Sequence, residues 1–74
     1  SHSTTFPYEL HRTAKVSFRV LDITGNEIRI YNEGPQTPGQ YTITIDAAGL
    51  KDGIYYLQML TEDFINTRKM VVVH

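Results

Sequence analysis

Leu50-Lys51-Asp52-Gly53-Ile54-Tyr55-Tyr56-Leu57 is a glycine-punctuated corner that feeds straight into an aromatic strand. A tyrosine just past such a corner can send its hydroxyl back to upstream backbone, so that a polar group sits satisfied at the edge of an apolar core. Tyr55 holds that place. Beyond it, Ile54 to Thr61 is apolar on both parities: Tyr55, Leu57 and Met59 fall on one side, Ile54, Tyr56 and Leu60 on the other, and only Gln58 interrupts. Such a strand is expected at the centre of a sheet.

Outward from the corner the chain reads as strands and turns. Lys15 to Asp22 alternates, with Val16, Phe18 and Val20 on one face and Ser17 and Arg19 on the other, the period-2 pattern of a half-buried strand. Asp22-Ile23-Thr24-Gly25-Asn26 follows as turn chemistry, because Gly25 and Asn26 tolerate the left-handed backbone of a tight reversal. Glu27 to Asn32 places Ile28 and Ile30 on one face, and Gln40 to Asp46 does the same with Tyr41, Ile43 and Ile45, so both are expected as strands. Between them Glu33 to Gly39 holds Gly34, Pro35, Pro38 and Gly39, which predicts a surface crossover from one sheet to the other.

Asp46-Ala47-Ala48-Gly49-Leu50 has room for one helical turn ending at Gly49, with Leu50 folding back as a plug. Glu62 to Asn66 reads as a turn and Thr67 to Val73 as the last strand, with Arg68, Met70 and Val72 sharing a parity. At the start, Phe6, Tyr8 and Leu10 alternate across Thr4 to Leu10, and Pro7 among them points to a sheet edge. The whole is all-β, an antiparallel immunoglobulin-like β-sandwich of six to seven strands. Leu57 stands where antibody domains carry a disulfide cysteine, so apolar packing alone joins the sheets.

Composition narrows the function. Seventy-four residues make one domain, residues 1–74, with a thin stability margin. There is no cysteine, hence no disulfide framework and no thiolate zinc site. The formal charge of -1 is scattered and leaves no footprint for nucleic acid. The longest apolar run, Met70 to Val73, falls far short of the roughly 20 residues that cross a bilayer, so no transmembrane segment is expected. The chain starts without Met and reads as a fragment or processed product; residues 1–3 are expected to fray or to be an expression remnant, and an export signal would lie in sequence outside it.

Four blocks in order resemble a known family: Thr4-Thr5-Phe6-Pro7-Tyr8-Glu9-Leu10; Val16 to Leu21 with Asp22-Ile23-Thr24-Gly25-Asn26-Glu27-Ile28; Asp46-Ala47-Ala48-Gly49-Leu50 with Gly53-Ile54-Tyr55-Tyr56-Leu57; and Thr67-Arg68-Lys69-Met70-Val71-Val72-Val73. Each block alone is common. Their order, spacing and basic final strand resemble the type A C-terminal sorting domains of type IX (Por) secretion cargo, whose fold is immunoglobulin-like. Ser1-His2-Ser3 departs from the Asn-Pro segment that often precedes the first strand in that family, and His74 from its usual basic terminus.

The resemblance implies a non-catalytic tag that directs an N-terminal cargo domain across the outer membrane of a Gram-negative bacterium. The route runs from the periplasm to the medium or the cell surface. The partners it implies are the outer-membrane secretion machinery and a surface peptidase that removes the tag. Structural duty falls on Asp22, Gly25, Asp46, Leu50, Gly53, Tyr55 and Leu57. Recognition by the machinery falls on Arg68, Lys69, Met70, Val71, Val72, Val73 and His74, through an edge strand open to β-augmentation. Arg68 and Lys69 read equally as charges that keep an edge from aggregating. The free edge of the opening strand also allows a homodimer.

Other chemistry finds little support. His2, His11 and His74 lie in the start, a turn and the last residue, away from metal-ligand spacing. Ser17, His11 and Asp22 make a triad only on paper, with no nucleophile elbow beside them. Asp46 and Asp52 sit beside glycine corners, where Asp bonds local backbone N–H groups. No cofactor is expected. The alternative reading is a permanent immunoglobulin-like spacer, adhesion or carbohydrate-binding module. In that reading Tyr31 and Tyr56 are the exposed stacking candidates, while Tyr41 and Tyr55 are buried.

Overall fold

The structure is a computed structural model and describes residues 3–74, so the expectation placed on Ser1 and His2 lies outside the described residues. Among the described residues six strands run in order: β1 (Ser3–Leu10), β2 (Ala14–Asp22), β3 (Glu27–Gln36), β4 (Gly39–Asp46), β5 (Gly53–Leu60) and β6 (Ile65–Val72). Ser3 opens β1, paired with Asp46. One sheet has the order β3-β2-β5-β6 and the other pairs β1 with β4, every pair antiparallel. Non-consecutive pairing of β1 with β4 and of β2 with β5 makes a Greek key, and with the Tyr55 corner it defines an immunoglobulin-like sandwich of six strands.

The predicted alternation places the core. Val16, Phe18 and Val20 of β2 meet Tyr55, Leu57 and Met59 of β5 on one inner face, and Ile43 and Ile45 of β4 close over them. Val20 and Ile45 are fully buried. As expected, β5 is central, lying between β2 and β6. Phe6, Tyr8 and Leu10 face inward from β1, and the Tyr8 ring meets Phe18 edge-on at 5.1 Å and stacks on Tyr41 at 5.5 Å.

Four expectations give way to tertiary context. Glu33 to Gly39 is not a free crossover: β3 runs on to Gln36, pairing Gly34 with Val16 and Pro35 with Lys15, and only Thr37 and Pro38 pass between the sheets. Pro35 is tolerated because β3 is an edge strand, and a bulge at Glu33 lets Gly34 take φ +72°.

Ile28 and Ile30 do not face the core. The register sets Tyr31 beside Phe18 and Arg29 beside Val20 on the inner face, leaving Ile28 at a second bulge and Ile30 outside, 56% exposed.

The segment before Leu50 is not a helical turn but a β-turn closed by Leu50 N–H to Ala47 O at 3.0 Å, with Asp46 Oδ1 accepting Ala48 N–H. Leu50 is the expected buried plug.

Ile65 and Asn66 belong to β6, because the β5–β6 turn closes within Thr61 to Phe64. Thr61 Oγ1 accepts both Asp63 and Phe64 N–H there. The last strand thus begins two residues before the predicted Thr67 and ends at Val72.

Candidate functional site

The residues expected to shape the domain sit at its corners. Tyr55 Oη donates to Lys51 O at 2.7 Å, closing the corner at the entry to β5. Asp22 Oδ1 accepts the Thr24 hydroxyl and the backbone N–H of Thr24 and Asn26, which together hold its carboxyl below the usual range, the Thr24 hydroxyl contributing most. Gly25 takes φ +91° and donates to Asp22 O, the three-residue hairpin loop with a left-handed final residue. Gly53 begins β5 opposite Val72, and Leu57 is buried between Val20 and Arg68.

The seven residues expected to be read by a partner divide by parity. In β6, Asn66, Arg68, Met70 and Val72 pair with Met59, Leu57, Tyr55 and Gly53, so they take the inner face. Met70 and Val72 are buried at 3% exposure, yet Arg68 and Asn66 are exposed. A two-stranded sheet cannot cover a four-stranded one, and this end of β6 stays open beside a shallow cleft lined by Phe6, Tyr8, Phe18, Leu57 and Arg68. Lys69 and Val71 face outward, Val71 at 58% exposure. His74 folds back on the corner: its N–H donates to Asp52 Oδ1 at 3.0 Å and its Nε2 lies 2.6 Å from Leu50 O. Those seven are therefore not one patch. Arg68 and Lys69 mark the exposed middle of the strand, and its end is packed against the Tyr55 corner.

The four edges of the sandwich differ in how they meet a strand. On β1, Pro7 carries no N–H. On β3, two bulges and Pro35 break the ladder. On β4, Arg29 donates to the last carbonyl, Asp46 O, and the Tyr41 hydroxyl donates to Thr37 O in the crossover, so both ends are tied to neighbours. On β6 all eight residues keep an unbroken register with β5, with neither bulge nor proline. That edge is regular and open.

The residues of the competing chemistries are scattered. His11 is exposed in the β1–β2 turn, Ser17 is in mid-β2 on the outer face, and Asp22 spends its carboxylate on the hairpin loop. Tyr31 turns inward against the core, so it forms no exposed platform with Tyr56, and it is Tyr56 alone that stays on the outer face. Tyr41 is only half-buried, while Tyr55 is buried as expected.

Polar contacts that sequence patterns do not announce complete the surface. Arg12 grips Asp63 with two hydrogen bonds of 2.8 Å, and Glu62 accepts Lys15 N–H at 2.8 Å, which clamps the β1–β2 and β5–β6 turns together. On the outer face a polar line crosses the four-stranded sheet, from Glu27 through Arg19 and Gln58 to Thr67. These pairings join residues far apart in the chain, and no local signal marks them.

With this geometry in place, the match across residues 3–73 has a structural sense: the chain belongs to the family of secretion system C-terminal sorting domains. It is a type IX sorting signal carried by a secreted cargo protein. It is attached to an N-terminal cargo, interacts with the type IX secretion machinery, and accompanies export to the cell surface or the medium. No curated protein and no solved structure matches the chain.

Proposed function

We propose that the domain is a non-catalytic tag whose terminal strand is the part the secretion machinery reads, through β-augmentation on the free edge of β6. The observation that carries this is the contrast between edges: among the described strands, β4 and β6 each combine an unbroken eight-residue register with a free side and no proline, but the last carbonyl of β4, Asp46 O, is taken by Arg29, while no side-chain hydrogen bond falls on the backbone of β6. Backbone groups along that side are available to a strand from a partner. His74 and the buried Met70 and Val72 hold the strand in place from the other side.

In this reading the folded tag passes through the periplasm with its cargo, meets the outer-membrane machinery, and is then removed by a surface peptidase. A second copy could also settle on the edge of β1, but Pro7 offers one donor fewer there, so that contact ranks below the one on β6.

The test is export of a reporter fused to residues 3–74, with and without Lys69 to His74, alongside Arg68→Ser/Lys69→Ser in the full tag. Loss of export in the truncated tag and reduced export in the folded double variant are expected. Unchanged export of both dismisses the edge of β6 as the element that is read. Intact mass of the surface product then distinguishes a removed tag from a retained one.

A further inference from the structure

Resting on the reading that β6 is the recognised edge, we infer that the strand it accepts is an acidic one, and that the same two charges turn away a second copy of this domain. Arg68 and Lys69 are adjacent in β6, so one lies on each face of the sheet at the middle of the free edge. Among the described residues the ion pairs join Arg12 to Asp63 and Arg19 to Glu27, His74 Nε2 lies 3.9 Å from Asp52 Oδ1, and neither Arg68 nor Lys69 has a carboxylate partner. From Phe64 to His74 the chain holds no Asp or Glu, although the whole carries eight. The edge is a basic one on a molecule of net charge -1.

A strand docked on β6 sets one of its residues opposite Arg68 and the next opposite Lys69, on opposite faces. Opposite charges directly across a strand pair are favourable and like charges are not. Two consecutive acidic residues in an otherwise apolar or Thr-rich strand therefore satisfy both cations at once. The face beneath Arg68 is apolar, with Phe6, Phe18 and Leu57 lining the cleft, so an aliphatic side chain two residues away from the acid on that face has a place to pack.

Self-pairing meets the reverse condition. Two copies joined edge to edge by a two-fold axis pair residues of the same parity, because inner faces stay together. The two registers that overlap Ile65–Val72 most fully then set Arg68 against Arg68 or Lys69 against Lys69. The basic pair thus works as a filter: a regular edge that would otherwise invite its own copy is reserved for a strand of opposite charge.

The experiment titrates the folded domain with three ten-residue peptides of alternating Val and Thr, carrying Glu-Glu, Ser-Ser or Lys-Lys at the centre, followed by backbone amide shifts. We expect the Glu-Glu peptide to bind about fivefold or more tightly than the Ser-Ser peptide, with shifts concentrated in β6, and the Lys-Lys peptide to be weakest. Raising the salt concentration should erode the Glu-Glu advantage and leave Ser-Ser binding in place. Arg68→Glu/Lys69→Glu should exchange the order of the acidic and basic peptides. Sedimentation should show Arg68→Gln/Lys69→Gln associating at concentrations where the parent domain is monomeric. Equal binding of all three peptides to β6 overturns the charge filter while leaving the edge reading intact. Shifts confined to another strand, or no binding by any peptide together with unimpaired export of the truncated tag, overturn both.

Discussion

Tyr55 and Lys51 are tied by a 2.7 Å hydrogen bond from the phenol hydroxyl to the backbone carbonyl, and this bond fixes how the chain enters the central strand β5. The ring beneath it is 8% exposed and packs in the core, while its hydroxyl reaches the rim where Lys51 lies in solvent. Because His74 bonds to Leu50 O through its ring and to the Asp52 carboxylate through its backbone N–H on the same corner, the entry to β5 and the exit from β6 are held by one small cluster of hydrogen bonds.

Tyr55→Phe removes that bond and keeps the ring. A net intramolecular hydrogen bond contributes about 1 kcal/mol, and in a domain of this size that lowers the melting temperature by about 4–8 °C. Thermal unfolding followed by circular dichroism measures the loss; an unchanged midpoint would mean that the corner is held by packing alone.

Ile45→Ala opens a cavity where the side chain is at 0% exposure. Truncating a buried aliphatic of this size costs about 2–5 kcal/mol, against a total that in so small a domain lies near the lower end of about 5–15 kcal/mol. The expected outcome is a domain largely unfolded at 37 °C, whereas Ile45→Val should lose only about 0.5–1.5 kcal/mol. Urea titration of the two variants separates them.

Gly25→Ala meets no neighbour within 4 Å, so any cost comes from the backbone angle of φ +91°. Placing a Cβ in the left-handed region costs about 1–2 kcal/mol, and Gly25→Asn should recover part of it, because Asn tolerates that conformation better. Equal stabilities for the glycine and alanine forms would show that the loop relaxes.

Acid should weaken the fold through Asp22 and Asp63. Both carboxyls are held below their ordinary range, Asp22 chiefly by the Thr24 hydroxyl and Asp63 chiefly by hydrogen bonds from Arg12. A folded-state value lower than the unfolded one means that the unfolded chain binds more protons, so the stabilisation is present above about pH 4 and fades as pH falls through the folded-state values. Urea midpoints should therefore drop on acidification below about pH 5, and the slope should flatten in Asp22→Asn/Asp63→Asn. An identical slope in parent and variant would assign the acid response to other groups.

The candidate site was legible in part. The basic final strand and its edge position follow from Thr67 to Val73 being amphipathic and rich in Arg and Lys, and the structure places Arg68 and Lys69 at the middle of an open edge. What the pattern could not show is that Met70 and Val72 are buried while Arg68, on the same face, is not. That split depends on where a two-stranded sheet stops short of covering four strands, which is a matter of how far β1 reaches over β6.

Period-2 alternation in β2 and β4, the two-sided apolar run of β5, the glycine turns and the Tyr55 corner determined on their own that this chain is an antiparallel sandwich, because each is a local preference that the fold merely has to satisfy. Tertiary structure decided the edge strand β3. In β3 the sequence puts Ile28 and Ile30 on one face and Arg29 and Tyr31 on the other, and it was pairing with β2 that turned Tyr31 inward and Ile30 out and that carried Gly34 and Pro35 into the ladder. An edge strand has a partner on one side only, and the choice of face there rests on contacts between residues distant in the chain.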